Sequence, residues 1–139
     1  MTVTVTAIQI GLHPDVIDYT SPDFTQFPGL TKDVVCKAND DNVAGLRAAG
    51  YEVDNCLIDL GDAGAEKARK WLAAKQYDTV LIGAGVRLVA SNTVLFEAIV
   101  NAAHTLQPGC RFVFNYSATS TPDDIRRWYS TPDDTTPTH

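Results

Sequence analysis

Residues 76–92 read QYDTVLIGAGVRLVASN, and this stretch decides the fold. Thr79-Val80-Leu81-Ile82 is an apolar run with no polar alternation, as expected of a strand covered on both faces. It stops at Gly83-Ala84-Gly85. Arg87 follows, and Ser91-Asn92 open an apolar helical pattern. The pattern is that of a central parallel strand delivering a Gly-rich turn to the ligand-binding rim of a sheet.

The chain on either side repeats the same alternation of strand and helix. Downstream, Leu95, Ile99, Ala102 and Leu106 form one helical stripe, with Phe96, Val100 and Ala103 beside it, over residues 93–107. Pro108-Gly109 stop that helix. A fourth strand is expected over 111–116 with Phe112, Val113 and Phe114. A short fourth helix follows, capped by Ser120 or Thr121, with Pro122 at its first position and Asp123 and Asp124 next. Ile125, Trp128 and Tyr129 are expected to face inward.

Upstream, Val3, Val5 and Ala7 alternate with threonines, and Ile8 and Ile10 fall on the opposite face of a first strand that Gly11 ends. Residues 12–30 are irregular, because Pro14, Pro22 and Pro28 forbid a continuous helix. Val16, Ile17, Tyr19, Phe24, Phe27 and Leu30 make this segment too apolar for a solvated tether, so it is expected to pack as a lid or wall. Thr31 or Asp33 caps a first helix to about Ala49, with Val35, Ala38, Asn42, Leu46 and Ala49 inward and Gly50 as its C-terminal stop. A second strand spans 51–58 and ends at Asp59. Asp62 is expected to cap a second helix with Ala65, Ala68, Trp71 and Leu72 inward and Lys67, Arg69 and Lys70 outward.

Four strands alternating with helices imply a parallel sheet with right-handed crossovers. The expected fold is one α/β domain over residues 1–129, a small three-layer flavodoxin-like sandwich with strand order 2-1-3-4, followed by a flexible tail over 130–139. At 139 residues the chain is long enough to bury a core without disulfides or metals. In that order the fourth strand is an edge, yet it is apolar on both faces. An edge of that kind needs cover, from the tail, the long loop or a second subunit, and a homodimer is expected.

A net charge of −6 and a pI near 4.8, with no clustered Lys and Arg beyond the wet side of one helix, argue against nucleic acid and anionic membranes as partners. Three widely spaced cysteines with no CxxC fit buried thiols of a reducing compartment. The N-terminus has no signal-peptide pattern, and no apolar run approaches the roughly 18–20 residues of a membrane span. A cytoplasmic protein is expected.

In an open α/β sheet, ligands bind where the strand order switches direction, here between strands 1 and 3. Gly11, Gly83 and Gly85 let a ligand approach the backbone, and Ser91 and Asn92 stand at a helix N-terminus. Arg87 is placed to clamp a carboxylate or phosphate. His13 or Asp18, from the loop after strand 1, would move a proton beside Tyr19. Asn115 would orient the substrate or stabilise an oxyanion. The His-Pro-Asp spacing at 13–15 matches no standard metal site, and no metal is expected. Asp15 suits a turn role. Glu97, Asn101 and His104 share a helix face that reads as solvated or subunit-facing.

Motifs of the commonest functions of the fold are missing. Gly11-Leu12-His13-Pro14 stands where a flavodoxin would carry a Thr/Ser-rich phosphate loop. Gly83 stands where a receiver would carry its phosphoacceptor Asp. No Cys follows strand 1, and Walker A, GxGxxG and GxSxG are absent. No cofactor is expected. The reading that remains is a small enzyme binding a compact anionic or carbonyl-bearing substrate at the sheet's C-terminal rim for isomerase-, lyase- or hydrolase-type proton transfer. The alternative is a non-catalytic ligand-sensing or protein-interaction module.

Taken together, Ile10-Gly11-Leu12, Pro14, Ile17-Asp18, residues 50–54 (GYEVD), residues 82–87 (IGAGVR), Phe96-Glu97, Val100-Asn101, His104, Phe114-Asn115 and Arg127-Trp128 resemble an uncharacterised group of small, mainly bacterial flavodoxin-like α/β proteins. The resemblance covers most of residues 8–128. It implies the fold and supplies no reaction. After the Arg that group continues Thr-Pro-Pro, whereas this chain has Leu88-Val89-Ala90, so the rim beside Arg87 differs.

Overall fold

The structure is a computed structural model and describes residues 4–117 and 119–129. The tail expected at 130–139 and Val3 of the first strand lie outside the described residues. Four strands, β1 (Thr6–Leu12), β2 (Glu52–Ile58), β3 (Thr79–Ile82) and β4 (Arg111–Phe114), form one all-parallel sheet in the order β2-β1-β3-β4. With helices on both faces, the architecture is consistent with a flavodoxin-like three-layer sandwich.

The helices are α1 (Lys32–Ala48), α2 (Gly61–Ala74), α3 (Ala84–Arg87), α4 (Thr93–Leu106) and α5 (Thr121–Asp124). Strand alternation sends Ile8, Ile10, Leu12, Val80 and Ile82 to one face, where they pack with Ala68 and Leu72 of α2 and Ile99 and Ala103 of α4. On the other face Ala7, Val53, Leu81 and Val113 pack with Leu46 of α1 and with Tyr51 and Ile125.

Local chemistry sets the ends of the elements. The Thr31 hydroxyl accepts from the Val34 N–H at 3.2 Å and caps α1, and Gly50 ends it with φ +97°. The second helix begins two residues earlier than expected. Leu60 is its cap position, without a side-chain bond, and Asp62 lies inside the first turn. The cause is a close approach: a Cβ on Gly64 would lie 1.8 Å from the Asp59 carbonyl oxygen, so the chain enters the helix pressed against Gly64.

Three further features differ from expectation. The first strand continues through Gly11 to Leu12. The Gly-rich stretch feeds a one-turn helix of its own, α3, and a 3-10 turn, Ala90–Asn92, before α4 begins. Trp128 lies outside, 53% exposed, with the Arg111 guanidinium 5.4 Å from its ring, while Ile125 takes the buried position.

Candidate functional site

On the α1 face the strands present, towards their C-terminal ends, Asn55 and Leu57 of β2, Gln9 and Gly11 of β1, Leu81 then Gly83 of β3, and Val113 then Asn115 after β4. On this face the outermost position of each central strand is thus a glycine, Gly11 within β1 and Gly83 directly after β3. The N-terminal half of α1 stands opposite with Val34, Val35 and Ala38. Between them lies a cavity of about 210 Å³. Ile17, Phe24, Phe27 and Leu30 of the long loop wall it, and residues 115–117 close the β4 side. Among the described residues, none of those lining it is charged.

The glycines are not there for the backbone. The positive-φ glycines are Gly29, Gly50 and Gly61, so Gly11, Gly83 and Gly85 take conformations open to any residue. Nor does packing demand them. A Cβ on Gly11 would meet nothing within 4 Å, and one on Gly83 or Gly85 would meet its nearest neighbour at 3.7 or 3.5 Å, ordinary contact distances. Their lack of side chains leaves the cavity its volume.

Polar groups gather on its sheet and α1 sides. Gln9 Nε2 donates to Asn39 Oδ1 at 3.0 Å, and Asn55 Oδ1 lies 3.5 Å away. Asn39 and Asn42 of α1 share the lining. Sequence reading passed over Gln9 and Asn39 and took Asn42 as a weak core position. The signal was available: a carboxamide and then a glycine on one face of a central strand, opposite a helix stripe broken by asparagines.

The loop wall is held by surface ties. Gln26 Nε2 donates to the Leu88 carbonyl at 2.8 Å, and Ser91 Oγ donates to Asp23 Oδ2 at 2.8 Å. Phe24 and Phe27 lie beneath, their ring centroids 6.1 Å apart.

The ten residues singled out from sequence fall into two sets. Gly11, Gly83, Gly85 and Asn115 line the cavity; His13, Asp18, Tyr19, Arg87, Ser91 and Asn92 do not. Arg87 turns along the strand ends instead. Its Nε donates to the Ile82 carbonyl at 3.0 Å, and its Nη2 to the Asn115 carbonyl and, at 3.0 Å, to Asn115 Oδ1. Its guanidinium stacks 4.9 Å from the Phe114 ring centre. Burial holds its pKa below the usual arginine value. Arg87 therefore ties β3 to the chain leaving β4. Asn115 completes the tie by donating to the Ser117 carbonyl at 3.0 Å. Residues 116–117 are braced by Ser120 Oγ, which accepts from both backbone N–H groups and donates to the fully buried Asp124 at 2.6 Å.

His13 Nδ1 accepts from the Asp15 N–H at 3.1 Å, and its side chain is about half exposed (46%). Asp15 pairs with Lys32 at 2.6 Å, and the hydrogen bond from Lys32 lowers its pKa. Asp18 accepts from the Thr20 hydroxyl at 2.6 Å, which lowers its pKa in turn. The Tyr19 hydroxyl donates to the Pro14 carbonyl at 2.8 Å, and burial raises its pKa. Asn92 donates to the Gly85 carbonyl at 2.9 Å. Among the described residues no group of three or more His, Cys, Asp or Glu side chains could hold a metal ion, and no helix is long and apolar enough to cross a membrane.

Compared with protein-family models, with curated proteins and with solved structures, the chain matches none. The site therefore stands on its own geometry. Its walls suit an apolar body, and its carboxamides suit one or two neutral polar groups.

Proposed function

We propose that this protein is a ligand-binding α/β domain, a sensor or carrier that holds a small, uncharged, largely apolar organic molecule between β1, β3 and α1. The observation that carries the reading is the set of glycines at 11, 83 and 85, which neither backbone conformation nor packing requires and which keep the cavity open. The test is Gly11→Ala in a thermal-shift screen of neutral single-ring compounds. Ligand binding to the native state raises the unfolding midpoint by mass action. The variant should fold as stably as the parent and lose the ligand-induced shift. An unchanged shift in Gly11→Ala would sink the reading.

A proton-transfer enzyme acting on a carbonyl-bearing substrate is the second reading. Its support is His13, half exposed and directly following cavity-lining Leu12. Turnover of a bound compound, abolished in His13→Ala with binding retained, would favour it over the first.

In either case we propose a cytoplasmic homodimer. Cys36, Cys56 and Cys110 are all free thiols, as suits a reducing compartment. β4 is an edge strand, with Phe114 38% exposed at its end and Tyr116 76% exposed just beyond it. A second copy covering that edge is the expected partner. Sedimentation showing a monomer at all concentrations would remove the dimer.

A further inference from the structure

The polar side chains around the cavity are not equivalent, and most are already engaged with the protein. Gln9 sets its nitrogen between two acceptors, Asn39 Oδ1 at 3.0 Å and Asn55 Oδ1 at 3.5 Å, and its own oxygen is sealed in packing. Asn115 accepts from Arg87 at 3.0 Å with its oxygen and donates to the Ser117 carbonyl at 3.0 Å with its nitrogen. Asn42 is engaged as well. Two groups of the lining remain, the Asn39 nitrogen Nδ2 on α1 and the hydroxyl of Thr121, a residue only 6% exposed at the start of α5. Neither has a hydrogen-bond partner among the described residues, yet Gln9 Oε1 is the one buried side-chain polar atom among them without a partner. Asn39 Nδ2 and Thr121 Oγ1 therefore keep surface open to a ligand. Of the two, only Asn39 is fixed in direction. Its oxygen is held by Gln9, so what it presents is a donor, whereas a hydroxyl can turn to donate or accept.

The space sets the rest of the ligand. About 150 Å³ of apolar cavity suffices to hold benzene, and this cavity is about 210 Å³. One six-membered ring with a short substituent fits that volume. Phe24 and Phe27, tilted 43° to each other, offer aromatic surface for it. Charge is disfavoured in either sign, because the described lining holds neither a cation nor an acid to meet it. A carbonyl oxygen is satisfied by a donor alone. An O–H or N–H group would need an acceptor instead, and the carboxamide oxygens are taken: that of Asn39 by Gln9, that of Asn115 by Arg87, that of Gln9 by burial.

Resting on the ligand-binding reading above, we infer that the ligand is a neutral single-ring molecule bearing a carbonyl group, and that Asn39 Nδ2 donates to the carbonyl oxygen. Asn39 is then the specificity-determining residue of the site, and Gln9 positions it. Phe24 and Phe27 take the ring, and the glycines leave it room.

The test is titration calorimetry of the full chain with acetophenone and isopropylbenzene, which share a shape and differ in the carbonyl. Asn39→Asp keeps an oxygen for Gln9 and exchanges the donor for an acceptor. It should weaken acetophenone relative to isopropylbenzene by at least about tenfold, or about 1.4 kcal/mol, because the ligand's carbonyl is then buried without a donor. Thr121→Val should leave the ratio as it is in the parent. An unchanged ratio in Asn39→Asp, or a fall confined to Thr121→Val, would overturn the role of Asn39 while leaving the cavity as a ligand site. Benzoate binding as tightly as acetophenone would overturn the neutral class. Binding of none of the three to the parent would overturn both readings. If Asn39→Asp does not fold, the Asn39 side-chain amide resonance of the unaltered protein decides: it should move with acetophenone and not with isopropylbenzene, and an equal response to both would overturn the inference.

Discussion

The two faces of the sheet are built from the same strands and do different things. Towards α2 and α4, inward positions along β1 and β3 are filled by Ile8, Ile10, Leu12, Val80 and Ile82, each at most 7% exposed. Towards α1, the same β1 presents Ala7, then Gln9, then Gly11, and β3 presents Leu81, then Gly83. One face holds the molecule together along its whole length. The other does so through Ala7, Val53, Leu81 and Val113, and opens beyond them at its C-terminal end. Because side chains alternate along a strand, Ile10 packs its side chain into the filled face while its chain neighbour Gly11 leaves room on the other. A site can be carved into one face without thinning the other.

The largest effect should come from the filled face. Ile99→Ala should lower stability by about 2–5 kcal/mol, the usual range for emptying a core position, read as a fall in urea midpoint. Leu57→Ala, beside the cavity, should cost less than half as much, since its side chain already borders open space. Equal losses would erase the distinction between the faces. Next in size is Arg87→Ala, with a loss of about 1–3 kcal/mol for hydrogen bonds to a charged group and faster amide exchange at residues 115–117. Arg87→Lys should not restore stability, because an ammonium cannot reproduce the forked geometry. Full stability in Arg87→Ala would free that guanidinium for a ligand instead.

Smaller again, and opposite in sign, is Gly83→Ala. With φ −69° and only ordinary contacts awaiting its Cβ, it should gain about 0.4–1 kcal/mol through the unfolded chain while losing ring-sized ligands. A destabilised variant would mean that the glycine serves the fold. The smallest effect is a pH dependence at the lower edge of the filled face. The Tyr77 hydroxyl donates to Asp54 at 2.7 Å and Lys75 lies 3.2 Å away, lowering the Asp54 pKa. The stability from this group is present above the unfolded carboxylate value of about 3.9 and is lost as pH falls through the lower folded value. The stability difference between parent and Asp54→Asn should therefore shrink below about pH 4. A constant difference would remove the charged carboxylate from the account.

Most of the fold was legible because hydrophobic periodicity is a local signal. Thr79–Ile82 announces a doubly covered strand, and Leu95, Ile99 and Ala103 announce a packed helix, whatever lies far away in the chain. The crevice at the ends of strands 1 and 3 followed from topology. Chemistry at the rim was harder to read, since it depends on where side chains turn. Arg87 reads as an anion clamp until the carbonyls of Ile82 and Asn115 are brought beside it. Gln9 and Asn39 are unremarkable when 30 residues apart in sequence, and take on meaning only across the gap between β1 and α1. Trp128 reads as core until Ile125 is seen to occupy that place.

The long loop crosses the cavity on two polar ties, Gln26 to Leu88 and Ser91 to Asp23, both at the surface. Exposed bonds of this kind exchange readily with water, whereas Phe24 beneath them is buried. If the cavity holds a ligand as proposed, its residence time would be set by how often the loop lifts. Weakening the ties should then speed arrival and departure together and leave the equilibrium affinity nearly unchanged, which would make this loop a kinetic control separate from the recognition proposed below it.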